Sequence, residues 1–295
     1  GPLEIHARDR QLDTGPPQQC VVLAALAVDA GRVVPVEVLI DRVWGPQPPV
    51  RARRTLHAYI SRIRRLLIES ADPTDGSATL VRRASGYLLQ LDHGQVDLHT
   101  FRQLVNQTRD PACPEPDQAR LLHEALALWR GEPLAGLTGD WVGRVRQSWQ
   151  QQRLDAALAW ATVELRAGDP HLVVDLLTDL VDEHPVAEPL VAALMRAMCG
   201  SGRTAQALYL YARTRQRLAD DLGVDPGPEL RTVHQLALRG ELEAAIPRRP
   251  QVGTAVPKGQ VPAQLPLDVR FAGRSSELAS LDRLADRIEQ EPTAV

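Results

Sequence analysis

Lys258 is the only lysine in the 295 residues, so almost all of the positive charge is carried by arginine. That absence excludes one reaction class. A loop that cradles nucleotide phosphates needs Gly-x-x-x-x-Gly-Lys-Ser/Thr, because its lysine neutralises the β- and γ-phosphates. Lys258 follows Pro257 and has no Ser or Thr after it, so the chain cannot hydrolyse ATP by that route. Cys20, Cys113 and Cys199 are odd in number and far apart, with no Cys-x-x-Cys, which argues against a disulfide framework. The eight histidines form no His-Glu-x-x-His and no short pair, so no metal and no cofactor is expected. The longest unbroken apolar run, Cys20–Val28, is far short of the ~20 residues that span a bilayer. No signal peptide is visible either, so the expected location is cytoplasmic with no membrane role. Aromatic residues make up only 4 %. Packing then falls to alanine, leucine and valine, which points to a mainly α architecture.

The charge that is present is unevenly placed. Net charge is −3, yet residues 1–92 hold 12 arginines against 10 acids, while 93–295 hold 22 Lys+Arg against 27 acids. Such asymmetry suggests that one part meets a polyanion and the other does not. The basic feature is sharpest over Arg51–Ile68, which carries six arginines and no acid. At 3.6 residues per turn, Leu56, Ile60, Ile63 and Leu67 form one stripe. Arg51, Arg54, Ala58, Arg62 and Arg65 fall opposite, within a sector of roughly 80°, flanked by Thr55 and Ser61. A helix buried on one side and armed with guanidiniums on the other suits nucleic acid, because arginine forks bind phosphate and the guanine edge in two-point contacts. A merely solvated face would carry interspersed acids for i,i+4 pairing. His57 and Arg64 lie off the centre of this face, where phosphate or plain solvent would serve them equally.

Around that helix the punctuation is regular. Leu3-Glu4-Ile5-His6-Ala7 alternates like a strand, with a hairpin tip at Arg8-Asp9-Arg10. Gly15-Pro16-Pro17 opens a helix over Gln18–Ala30, closed by Gly31, and Pro35 starts a second that ends at the Pro-rich loop 45–50. Thr79–Arg82 and Tyr87–Leu91 read as a hairpin with Arg82 and Arg83 at its tip, where cations suit a narrow minor groove. Strand, two helices, basic helix and basic hairpin is the order of a winged helix-turn-helix. From Asp97 to Leu242 the period is helical throughout, with a 34-residue repeat relating Gly168 to Gly202, Val174 to Leu208 and Leu177 to Tyr211. That period belongs to tetratricopeptide-like helix pairs. Residues 247–268 are Pro-rich and read as a linker. The stretch Ser275–Glu289 reads as a last amphipathic helix. Trp44 is expected as core beneath the Pro-rich loop, and Trp129, Trp141, Trp149 and Trp160 as inter-helix packing.

The local strings resemble the Streptomyces antibiotic regulatory proteins, which carry an OmpR-type winged helix followed by a bacterial transcriptional activation domain. The winged-helix likeness rests on Pro17-Gln18-Gln19, Leu39-Ile40-Asp41-Arg42-Val43-Trp44-Gly45, Tyr59-Ile60-Ser61-Arg62-Ile63-Arg64-Arg65-Leu66 and Gly86-Tyr87. The activation-domain likeness rests on Asp97-Leu98-His99-Thr100-Phe101, Ala127 through Leu134, Glu183-His184-Pro185 and the specific run Leu222-Gly223-Val224-Asp225-Pro226-Gly227-Pro228-Glu229-Leu230. Phe271-Ala272-Gly273-Arg274 through Glu277-Leu278 is similar to the opening of the NB-ARC-type ATPase module of larger members. This implies an N-terminal fragment of such a member. Cys20 stands where relatives usually place an arginine, so the resemblance carries no phosphate contact over there.

The resulting expectation has four parts: a winged-helix DNA-binding domain over 1–92, a helical activation domain over 97–245, a linker over 246–269 and the start of a truncated ATPase-like module over 270–295. The candidate DNA-binding set is Arg51, Arg54, Thr55, His57, Ser61, Arg62, Arg64, Arg65, Arg82 and Arg83. The resemblance implies a non-enzymatic activator, homodimeric on promoter repeats of double-stranded DNA. It also implies recruitment of RNA polymerase and its σ factor, with loop 45–50 facing the polymerase, and a role in antibiotic or other secondary-metabolite synthesis. Two rival readings stand beside it: a helical-repeat scaffold whose basic helix binds an acidic protein, and a regulatory fragment of a signal-transducing ATPase.

Overall fold

The computed structural model describes residues 1–7, 10–70, 78–91 and 93–242, all within one compact unit, Gly1–Arg249. The expected linker, the helix at 275–289, the rest of 270–295 and the turn at Arg8-Asp9 lie outside the described residues.

An antiparallel ribbon comes first, β1 (Ile5–Ala7) with β2 (Arg10–Leu12), Ile5 opposite Leu12. Helix α1 (Pro17–Val28) begins with proline, whose missing N–H and fixed φ suit a first turn. Gln19 through Leu26 are all buried, as expected of a helix that is apolar nearly all round. Strand β3 (Val33–Pro35) follows, then α2 (Val36–Trp44), which Gly45 ends at φ 68°. Helix α3 (Ala52–Ser70) leads to β4 (Thr79–Arg82) and β5 (Gly86–Gln90).

These last strands and β3 form an antiparallel sheet in the order β3-β5-β4, with Pro35 opposite Gly86 and Arg82 opposite Tyr87. The hairpin and three helices lie where the sequence pattern expects them; β3 does not. Pro35 both closes this strand and caps α2, which begins at Val36 as the proline signals; the strand itself is unannounced, because tertiary pairing with β5 claims Val33–Pro35. The approach is close: a Cβ at Gly86 would sit 1.9 Å from the Val34 carbonyl oxygen. Only glycine permits that strand spacing.

The helical half comprises α4 (Asp97–Gln107), α5 (Glu115–Ala127), α6 (Asp140–Ala167), α7 (Pro170–Glu183), α8 (Glu188–Gly200), α9 (Thr204–Arg217) and α10 (Pro228–Leu238), with a π turn at Leu218–Leu222. Neighbours in sequence pack in space, and α8 also packs on α10. Helices α7 and α9 start at Pro170 and Thr204, 34 residues apart, after Gly168 and Gly202, both in the left-handed region. The repeat is therefore structural. Val173 and Ala207, equivalent positions in it, are both fully buried.

Two cores result. One fills the helical half around Trp160, Leu177, Leu194 and Met195. The other fills the winged helix around Leu26, Leu39, Leu56 and Leu89, but it also includes Leu134, Leu137, Trp141 and Val142. The segment before α6 and the first turn of α6 thus complete the winged-helix core. Trp129 and Trp149 are partly buried against the two cores.

Candidate nucleic-acid interface

Helix α3 buries Leu56, Ile60, Ile63 and Leu67, each nearly or wholly removed from solvent. Full burial of such a side chain stabilises by about 1.5–3 kcal/mol, so the orientation of the helix is firmly set. That orientation leaves Arg54, Ala58, Ser61, Arg62 and Arg65 exposed. Arg51 is exposed in the turn preceding the helix, and its carbonyl accepts from the Thr55 amide at 2.9 Å. Thr55 is half-buried. The Ser61 hydroxyl donates to the His57 carbonyl at 3.0 Å, so its Oγ is partly engaged by its own helix.

Among the described residues, Arg51, Arg54, Arg62, Arg65, Arg82 and Arg83 pair with no acid. Elsewhere arginines do pair, as Arg42 does with Asp29 and Arg213 with Asp182. Arg53, between two free arginines, is neutralised by Glu37 of α2. Unpaired guanidiniums at Arg51 and Arg54 sit at the positive end of the α3 dipole, which disfavours them in isolation and favours an incoming anion.

Arg64 differs from its neighbours. It is half-buried, its Nε donates to the Leu80 carbonyl at 3.0 Å, and its guanidinium lies 5.9 Å over the Tyr87 ring. His57 stays exposed and meets the same ring edge-on, 6.5 Å between centroids. The wing tip is tight: the Arg83 amide donates to the Gly86 carbonyl at 2.9 Å, and the side chains of Arg82 and Arg83 are both exposed. Helix and hairpin thus bring eight of the ten expected residues to solvent; Thr55 is half-covered and Arg64 is held by the wing.

The Pro-rich loop before α3 is open to solvent from Pro46 to Arg51. Beneath it Trp44 stacks on Tyr59 with ring centroids 6.5 Å apart, and the Tyr59 hydroxyl donates to Gln18 Oε1 at 3.0 Å. Trp44 is therefore packing rather than a base-stacking platform. Cys20 is turned inward, 7 % exposed, its Sγ 3.3 Å from Thr14 Oγ1. Among the described residues no helix is long and apolar enough to cross a membrane. Sequence reasoning missed the Arg53–Glu37 pair and the seam with α6; only the acid at Glu37 hinted at the first.

The family described as "Transcriptional regulatory protein, C terminal" matches residues 14–89, and "Bacterial transcriptional activator domain" matches 96–238. A winged helix followed by an activator domain is the class of a transcriptional regulator. The regulatory protein DnrI of Streptomyces peucetius is 34 % identical over 248 residues, covering 82 % of this chain and 91 % of DnrI. AfsR of Streptomyces griseus is 37 % identical over 290 residues, 97 % of this chain but 29 % of AfsR. The chain thus spans under a third of that larger relative. The solved structure of Mycobacterium tuberculosis EmbR, in complex with a low-affinity phosphopeptide, superposes with a TM-score of 0.70 at 32 % identity, covering 83 % of this chain and 66 % of that one. The chain belongs to the Streptomyces antibiotic regulatory protein family, whose members are transcriptional regulators with an OmpR-type winged helix.

Proposed function

We propose that the chain binds double-stranded DNA sequence-specifically, with α3 in the major groove and the Arg82-Arg83 tip against the neighbouring minor groove or backbone. The observation that carries this is the exposed, acid-free guanidinium face of Arg54, Arg62 and Arg65, set by the burial of Leu56, Ile60 and Ile63. In this reading it activates transcription as a homodimer on promoter repeats, in the cytoplasm at the nucleoid. The exposed loop 45–50 meets RNA polymerase and its σ factor, and the regulated genes serve a secondary-metabolite pathway. No step of this role is catalytic. Nine of the ten expected site residues keep a place in it: Arg51, Arg54, Thr55, Arg62 and Arg65 face the groove, His57 and Ser61 flank it, and Arg82 and Arg83 extend it, while Arg64 is turned to the wing. Footprinting on the region upstream of its own gene tests the proposal. Protected repeats support it, and a chain that protects nothing at low salt overturns it.

A further inference from the structure

We infer that Arg64 is a positioning residue that locks the wing to α3 and does not itself contact nucleic acid; the inference rests on the DNA-binding reading above. Three observations converge on it. The Arg64 Nε–H donates to the carbonyl of Leu80, within the strand that leads directly to Arg82 and Arg83. Its guanidinium face lies over the ring of Tyr87, which is 4 % exposed and stands opposite Arg82 in the β4–β5 register. One side chain from α3 therefore grips both strands of the hairpin, one through a backbone oxygen and the other through a ring. On its far side the hairpin is pinned by Gly86, whose missing Cβ lets β5 close on Val34.

The chemistry explains why the position takes arginine. Among the described residues strand β4 is an edge strand, with a row of polar groups that no further strand satisfies. A planar guanidinium can donate in its plane to one of these carbonyls while its face rests on an aromatic ring. Lysine has the charge but neither the plane nor the fork. The helix-to-wing angle, and with it the joint delivery of Arg62 and Arg65 to one groove and Arg82 and Arg83 to the next, depends on this clamp. Its neighbours Arg62 and Arg65 are exposed and unpaired, so Arg64 alone of the α3 guanidiniums beyond Arg54 is turned into the fold.

The test uses a duplex that the wild-type chain itself selects from a randomised pool. Arg64→Lys keeps the charge and loses the clamp, so affinity should drop roughly three- to tenfold, the range of a lost charge-assisted bond plus a ring contact. In an Arg82→Ala/Arg83→Ala background the same change should cost nothing further, because the clamp serves those two residues. If Arg64 instead bound phosphate, Arg64→Lys would bind within twofold of wild type, and Arg64→Ala would flatten the log–log salt slope by about 0.9 in both backgrounds. Either result overturns the inference. Tyr87→Leu supplies a second variant: it should reproduce the loss though Arg64 keeps its charge, and unchanged affinity would count against the clamp. In the free protein, Arg64→Lys should speed amide exchange over residues 79–90. Unchanged exchange there rejects the clamp without any DNA, whereas a wild-type chain that enriches no duplex rejects the DNA-binding reading instead.

Discussion

The guanidinium of Arg42 lies 5.3 Å from the centroid of the Trp141 ring, and the same group donates to Asp29 Oδ2 at 2.6 Å and to the Ala25 carbonyl at 3.2 Å. Arg42 is on α2 and Trp141 on α6, so one side chain ties the end of α1 to the helical half of the chain. A second tie lies nearby, where His99 Nε2 of α4 meets the Ala27 carbonyl at 2.7 Å. The helical half therefore acts as a buttress, continuous with the core that holds α3 in place.

Trp141→Ala should destabilise the chain by about 3–5 kcal/mol, since it empties a large site in the winged-helix core and removes the face beneath Arg42. Urea unfolding would show it as a lower midpoint. A fragment of residues 1–92 loses the same cover, and we expect it to melt lower, bind the same DNA more weakly and fail to activate transcription. A fragment that matches the longer chain in all three would refute the buttress.

Arg62→Ala and Arg65→Ala should each weaken specific DNA binding by roughly 1–3 kcal/mol where the side chain touches a base, or act uniformly across sequences where it touches phosphate. Melting should move by no more than about a degree or two for either, because both side chains are exposed and change no buried contact. Fluorescence anisotropy and calorimetry on the same samples separate the two effects.

Salt should weaken binding steeply. Six unpaired arginines on helix and wing, each releasing a counterion, give a log–log slope near −5. A slope shallower than about −2 would favour an acidic protein partner over DNA.

At the α9–α10 contact His234 stacks on Tyr211 with centroids 3.8 Å apart, and burial, with Arg215 nearby, holds its pKa below the ordinary 6.5. The unfolded chain therefore takes up this proton first as pH falls. The contribution of His234 to stability is intact above 6.5 and is lost as pH drops through its lower folded value. His234→Phe, which keeps the stack without the titration, should flatten the decline in melting temperature between neutral and mildly acidic pH. An identical decline in the variant would exclude His234 as its source.

How much of this was legible in the sequence depended on whether the signal was local. The amphipathic period of Leu56, Ile60, Ile63 and Leu67 announces α3 because helical burial repeats within a few residues, and the hairpin at 79–90 carries its own turn. The 34-residue repeat is equally local to each helix pair. Strand β3 was hidden: its three residues make no period, and only β5, some fifty residues later, turns Val33–Pro35 into a strand. The arrest of Arg64 was hidden for a similar reason, its acceptor being a backbone oxygen that side-chain patterns do not report. Trp141 read correctly as packing, but the α2 partner it packs against is set by tertiary arrangement alone.

The most direct test of the central claim is the ratio of affinities for a selected duplex and a scrambled one at a fixed, near-physiological salt concentration, measured for wild type and for Arg62→Ala/Arg65→Ala. Wild type should prefer the selected duplex by at least about a thousandfold, in the range of sequence-specific regulators. The double variant should lose most of that preference and retain most of its melting temperature. Equal affinity of the wild-type chain for both duplexes would contradict sequence-specific binding through α3.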